Sequence, residues 1–282
     1  MFDAVCRSDG VALQRATGSL RIAFKRRDAG TALDALYQRG CLKARLPRPE
    51  PGDWPVAVTL NSSGGVAGGD HLDTAIDLAA GTRATITAQA AERFYRALPG
   101  GGPAVVRTRV TVGAGAMVEW LPQETILFDR CALDRRLELD LAADARFLGI
   151  EMLVFGRTAM GETVQTGSLH DLIQLRREGR LVWQDAIRLD GAIDATLRRP
   201  AIANGARAVA TVLYAGPDAG DHLETLRAAL PTLPATESAC SAWNGLLLTR
   251  VLAAEGAALR RAVVAILEVL RDGRGMPRVW TC

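Results

Sequence analysis

Leu133-Asp134-Arg135-Arg136-Leu137-Glu138-Leu139-Asp140-Leu141 alternates with a period of two. Successive side chains of a strand point to opposite faces. Leu133, Arg135, Leu137, Leu139 and Leu141 therefore share one face, and Asp134, Arg136, Glu138 and Asp140 the other. The same alternation runs through Leu72-Asp73-Thr74-Ala75-Ile76-Asp77-Leu78 and through Val106, Thr108, Val110 and Val112. From residue 56 to about residue 213, short segments of this kind are separated by Gly, Pro and Asp turns, the mark of strands rather than helices. The expected fold is mainly β: a sandwich, a barrel or a β-helical stack.

Outward from that region, residues 172–175 and 181–183 flank Arg176-Arg177-Glu178-Gly179-Arg180, which predicts a hairpin with Gly179 in the left-handed position. Helical patterns are confined to the last third. Asp221 is placed to cap a helix that Pro231 would stop, and residues 257–271 put Leu259, Val263, Ile266, Leu267 and Leu270 on one stripe before Gly273. Such a stripe is more often core than a docking face. No sequence repeat and no clean linker stands out, and residues 47–52 read as an exposed loop or minor boundary. The expectation is one domain over residues 1–282, β-rich over about 1–215, with a mixed helical and strand part over about 216–282.

Hydrophobic residues make up 49% of the chain and charged residues 23%, enough apolar side chain to bury a core. With 34 Lys and Arg against 31 Asp and Glu the net charge is +3, which leaves no nucleic-acid footprint. Aromatics, at 5%, are too few for a base-stacking or sugar-stacking module. Cys6, Cys41, Cys131, Cys240 and Cys282 are odd in number and never form C-x-x-C, so reduced thiols in the cytoplasm are expected. No apolar run is long enough to span a bilayer, and no membrane association is expected.

The stretch 61–70, NSSGGVAGGD, carries Gly64, Gly65, Gly68 and Gly69. It lacks the lysine of a phosphate loop and precedes a strand, so the glycines serve a tight strand connection while Asp70 is free to face a site. In the strand from 145 to 155, Phe147, Gly149, Leu153 and Phe155 lie on one face and Leu148, Ile150, Met152 and Val154 on the other, so both faces are covered. Glu151 sits on the first face, where an ionised carboxylate costs several kcal/mol unless it is paired, hydrated or metal-bound. Arg93, Arg96 and Arg157 are the arginines offered for a salt bridge; the other reading is a polar channel lined by Glu151. Glu92, Tyr95, Glu119, Glu124 and Asp129 add polar groups near apolar segments. His71, His170 and His222 are isolated, which disfavours a tight imidazole metal site. Catalytic motifs are missing too, so no catalytic residue and no enzyme is expected.

Three segments together resemble the UreD (UreH) family of urease accessory proteins: LNSSGGVAGGDHLD at 60–73, AERFYR at 91–96 and EWLPQETILFD at 119–129. The last, with Trp120, Pro122, Gln123 and Asp129, is the most specific. Support continues through 145–151, Gly156-Arg157, a turn at 188–191 and Pro277-Arg278-Val279-Trp280, so nearly the whole chain is covered. In departure from the family pattern, Ile150 stands where a Trp is usual, and Glu92-Arg93 where relatives carry other polar residues.

The resemblance implies stacked strands of β-helical character with a few helices. It also implies a urease maturation factor that joins apo-urease to a UreF-like helical accessory protein and a UreG-like GTPase and passes nickel along an internal tunnel. A conduit must release its cargo, so sparse oxygen ligands suit it better than clustered imidazoles, and no tightly bound cofactor is expected beyond transient nickel. Asp70 and Glu151 are the foremost tunnel-lining candidates, followed by Glu92, Tyr95 and Glu124. The alternatives are a pure scaffold that opens the apo-urease site without touching nickel, and a carboxylate-dependent hydrolase or lyase on a β-helical framework.

Overall fold

In the computed structural model, described over residues 14–49, 53–157, 160–230 and 233–281, strands dominate and form two stacked sheets. The first sheet has the order β14 (Arg180–Ala192), β13 (Thr166–Arg177), β11 (Ala132–Leu141), β8 (Ala104–Val112), β5 (His71–Leu78), β1 (Thr17–Arg27), β2 (Gly30–Gly40). The second has β16 (Thr236–Trp243), β17 (Leu246–Ala253), β15 (Ala208–Ala215), β12 (Arg146–Phe155), β9 (Met117–Leu121), β6 (Arg83–Ala88), β4 (Val56–Asn61), β3 (Leu42–Arg45). Short β10 (Thr125–Leu127) pairs with both β12 and β7 (Glu92–Phe94). Central neighbours are parallel, from β1 through β5, β8 and β11 to β13 and from β4 through β6 and β9 to β12, while hairpins add antiparallel strands at the flanks.

Parallel pairing requires a crossover, and here the crossover is a strand of the other sheet, so the chain winds as a β-helical coil. At one end it turns through Ala79–Thr82, Gly113–Ala116 and Ala142–Ala145. Each of these corners closes with the same bond, from the N–H of its last residue to the C=O of its first: Thr82 to Ala79, Ala116 to Gly113 and Ala145 to Ala142. Thr82, Ala116 and Ala145, the last residues of the three corners, are all buried. Successive corners are stitched by Gly81 N–H to Ala114 O at 2.8 Å and Gly115 N–H to Asp144 Oδ1 at 2.9 Å, and Arg177 closes the stack on the carbonyls of Ala142, Ala143 and Ala145. Contrary to the expectation of no repeat, Leu78-Ala79-Ala80-Gly81-Thr82, Val112-Gly113-Ala114-Gly115-Ala116 and Leu141-Ala142-Ala143-Asp144-Ala145 are a repeated unit. Loops of unequal length at the opposite end of each coil hide its period.

The core has two layers. Between the sheets lie Ile22, Ile76, Val110, Leu139, Phe147 and Phe155. On the outer side of the second sheet, Leu148, Ile150, Met152 and Val154 pack with Leu259, Val263, Ile266, Leu267 and Leu270 of α3 (Gly256–Leu270). The stripe of the C-terminal helix is thus core, and β12 is covered on both faces. Each such side chain contributes about 1.5–3 kcal/mol when fully buried.

Some sequence expectations need correction. The predicted hairpin exists with longer strands and a two-residue loop, Glu178 (φ 51°) and Gly179 (φ 73°). Residues 188–191 belong to β14 rather than to a turn, although Gly191 has φ 79°. Asp221 caps nothing: it lies in a 3-10 turn, Ala219–His222, and α2 (Leu223–Ala229) starts without a side-chain cap. Pro231, Cys6 and Cys282 lie outside the described residues. A further short helix, α1 (Ile193–Leu197), follows β14. Among the described residues no helix is long and apolar enough to cross a membrane.

Candidate functional site

The long loops gather at the end of the coil opposite the tight corners, and the glycine stretch is the first of them. Gly64, Gly65 and Gly69 have φ of 79°, 145° and 88°, conformations that side chains resist. Gly68 is needed for a different reason: a Cβ there would come within 2.8 Å of the Gly102 carbonyl. Tyr95 stacks where a Cβ on Gly65 would fall and donates its hydroxyl to Gly64 O at 2.7 Å. Its ring meets Phe128 edge-on, and the Arg157 guanidinium covers Phe128 at 4.3 Å. Asp70 is buried with both oxygens engaged, accepting from Ala16 N–H and Ala67 N–H at 2.8 Å each. It clamps the loop onto the start of β1. Glu92 accepts from Asn61 beside this loop, and burial pushes its pKa up. Asp129 accepts from Thr166 N–H at 3.1 Å.

Glu151 lies deeper, between the sheets. Arg135, projecting from the leucine face of β11, reaches Glu151 Oε2 at 2.7 Å and donates to both oxygens of Asp171 on β13, at 2.9 and 2.6 Å. Trp120 Nε1 donates to Glu151 Oε1 at 3.0 Å, and Arg135 also donates to Thr125 Oγ1 at 2.9 Å. The salt-bridge partner is therefore Arg135, not Arg93, Arg96 or Arg157, because the leucine face of β11 points into the interior beside Glu151. Burial raises the Glu151 pKa, Arg135 opposes that rise, and Asp171 adds to it. Burial works against the charge on Arg135, but Asp171 and Glu151 outweigh it and raise its pKa. Two cavities of about 10 Å³ each adjoin the Glu151 carboxylate, one bordered by Asp171, Asp185 and Thr211, the other by Phe147, Gly149 and Thr211. That volume is at the lower limit for a single water.

The third cluster explains EWLPQE. Pro122 cannot extend the ladder, so the strand breaks between β9 and β10. Gln123 satisfies the carbonyls at the break, donating through Nε2 to Ala88 O, Gln89 O and Val279 O at 2.9–3.2 Å. Glu124 takes Arg260 of α3 at 2.9 and 3.0 Å, and Arg260 also donates to Trp280 O. Trp280 Nε1 donates to Thr87 Oγ1 at 3.0 Å. Glu119, fully buried, binds Arg271 through both oxygens at 3.0 and 3.1 Å, and also Arg274 and the Thr85 hydroxyl. Arg274 in turn lies 3.6 Å over the Trp54 ring. The two motifs at 119–129 and 277–280 are thus two halves of one contact.

The candidates do not converge on a single pocket. Asp70 and Tyr95 hold the glycine loop with Glu92 beside it, Trp120 and Glu151 share the intersheet cluster, and Gln123 and Glu124 anchor the C-terminal part. Arg135, Asp171, Arg260 and Arg271 were missed in the sequence; the signal for Arg135 was its place among four leucines. His71, His170 and His222 remain apart, with His170 on Asp190 and His222 against Tyr214. Among the described residues no three of His, Cys, Asp and Glu are grouped to hold a metal ion.

The class defined by these features is a β-helical two-sheet protein with a helical cover, its buried carboxylates committed to arginines and backbone amides. Comparison with known proteins is specific. The sequence model described as UreD urease accessory protein matches residues 16–281. Proteins named urease accessory protein UreD are similar over most of their length: 44% identity in Rhizobium leguminosarum bv. viciae (95% of this chain, 96% of that protein), 45% in Dinoroseobacter shibae (98% and 96%) and 47% in Methylobacterium sp. strain 4-46 (89% and 89%). The chain belongs to the UreD family of urease accessory proteins.

Proposed function

We propose that this chain is a urease maturation factor, not an enzyme, that joins apo-urease to a UreF-like helical protein and a UreG-like GTPase and passes nickel toward the urease site. The observation that carries the conduit reading is the Glu151–Arg135–Asp171 cluster: two carboxylates share one arginine, which leaves a surplus of negative charge beside two water-sized cavities. Oxygen donors already engaged by arginine hold a divalent cation weakly, as a relay must. Asp70, Glu92, Tyr95 and Glu124 are the remaining candidates along such a path.

A specific observation favours the alternative of a scaffold that never touches nickel. Glu151, Asp70 and Glu124 each have protein partners for their oxygens, so each has a structural role sufficient to explain it. Glu151→Gln keeps the shape and the Trp120 contact while reducing the surplus charge. With apo-urease, the partner proteins, GTP and limiting nickel, the conduit reading expects the variant to assemble normally and to load urease with several-fold less nickel. Full loading at limiting nickel leaves the scaffold reading.

A further inference from the structure

The outer face of the second sheet is covered unevenly. The C-terminal helix and α2 lie over β12, β15, β17 and β16, and residues 275–281 continue the cover across β9 and β6 through Gln123 and the Trp280–Thr87 bond. At β4 the cover stops. Val56, Val58 and Leu60 point outward into a groove of about 760 Å³ whose walls are residues 45–49 on one side and the segment around Met276 on the other. A cavity of this size accommodates several apolar side chains of a bound segment. The rim carries Arg45 and Arg48, exposed and with no carboxylate partner among the described residues. Among the described residues the acid lining the groove, Asp53, faces Arg274 at 4.0 Å.

We infer that this groove receives an acidic amphipathic segment of a partner protein, its apolar residues on β4 and its carboxylates on Arg45 and Arg48. The chemistry follows from the surface. An apolar floor selects a segment with one apolar face, and the exposed rim arginines, without a carboxylate partner among the described residues, favour carboxylates, with which guanidinium pairs in two-point geometry, over a basic segment. The recess lies between two walls, a shape that takes up a chain segment; a bilayer surface is met by protruding apolar residues instead. The site is on the opposite side of the second sheet from Glu151, so the inference holds whether or not nickel passes through the interior.

The test places a photo-crosslinking amino acid at Leu60 or Met276 of the full chain, in cells that mature urease, with Tyr37 on the first sheet as the control position. Mass spectrometry then reads the peptide captured. The expected capture is a single peptide of a partner protein in which Asp or Glu flank spaced apolar residues. Charge reversal, Arg45→Glu with Arg48→Glu, lowers its yield about tenfold, and Arg45→Lys with Arg48→Lys keeps it within about twofold, as rim charges act. Nickel loading by Glu151→Gln is read separately and leaves the capture unchanged. The inference is overturned by yields equal to those at Tyr37, by insensitivity to charge reversal, by capture of a second copy of this chain or of its own residues, or by crosslinking to phosphatidylglycerol vesicles in place of protein.

Discussion

Two buried ionic clusters lie on opposite sides of the second sheet and are mirror images in charge. Between the sheets, one arginine, Arg135, serves two carboxylates, Glu151 and Asp171. Beneath the C-terminal tail, one carboxylate, Glu119, serves two arginines, Arg271 and Arg274. The intersheet group therefore keeps one carboxylate in excess, whereas in the outer group Asp53, 4.0 Å from Arg274, offsets the second arginine. The outer arginines have further partners: Arg271 Nη1 donates to the carbonyls of Arg274 and Gly275, and Arg274 lies over Trp54. The Glu151 excess is left beside two small cavities. A fastener needs the first arrangement, and a site that attracts a passing cation needs the second.

The largest effect is expected where a single change strands the most charge. Arg135→Leu leaves two buried carboxylates unpaired and should cost about 3–5 kcal/mol, the usual consequence of breaking a buried ion pair. Urea unfolding at neutral pH measures it, and a loss under about 1 kcal/mol would show that water already solvates the two carboxylates. Glu119→Leu should cost somewhat less, about 3 kcal/mol, because Arg274 is only partly buried and keeps Trp54. Its signature is local. Hydrogen exchange should speed up over residues 274–281 while β11 and β13 stay protected, and equal deprotection of both regions would break the distinction between fastener and intersheet site.

Much of this could be read from the alternation of β11, which placed Arg135 on the leucine face, and of β12, which placed Glu151 on a covered face. What could not be read was which strands face each other. The coil sets β11 against β12, whereas the proposed arginines at 93, 96 and 157 lie on the long-loop end. The motifs at 119–129 and 277–280 were both conspicuous, yet their contact depends on α3 returning the chain across the sheet. The glycine loop was legible as a set of positive φ angles, but the role of Asp70 was not, because its partners are backbone amides, which carry no residue signature. Strand β1 was legible in principle, since Leu20, Ile22 and Phe24 alternate with Arg21 and Lys25.

Glu151→Gln sharpens the comparison through pH. Burial raises the folded-state pKa of Glu151 above its ordinary value, so its protonated form favours folding. That contribution is complete below the unfolded pKa, near 4.5, and is lost as pH rises through the folded value. Wild type should therefore be at its best relative to Glu151→Gln in mild acid and lose ground above it. Paired melts from pH 4.5 to 8 read the slope, and the opposite slope would mean that Arg135 wins over burial.

The smallest effect isolates burial from partner number. Asp190 at the edge hairpin accepts from the Ser168 hydroxyl and Arg188, with the His170 ring at 3.2 Å. Glu119 likewise has one hydroxyl and two basic partners, but in the interior. The bonds from Ser168, Arg188 and His170 hold the Asp190 carboxyl down at about 2. A lowered pKa stabilises the fold above the unfolded value, near 3.8, and the benefit is lost as pH falls toward 2. Water and salt screen this exposed cluster, so Asp190→Asn should shift the melting temperature far less than Glu119→Leu, and least at high ionic strength. The shift should also shrink as pH falls through 2 and vanish well below it, where wild type has taken up the proton. If Asp190→Asn were as damaging as Glu119→Leu in high salt at neutral pH, the number of partners rather than burial would set the strength of these clusters, and the contrast between the two faces of the sheet would lose its physical basis.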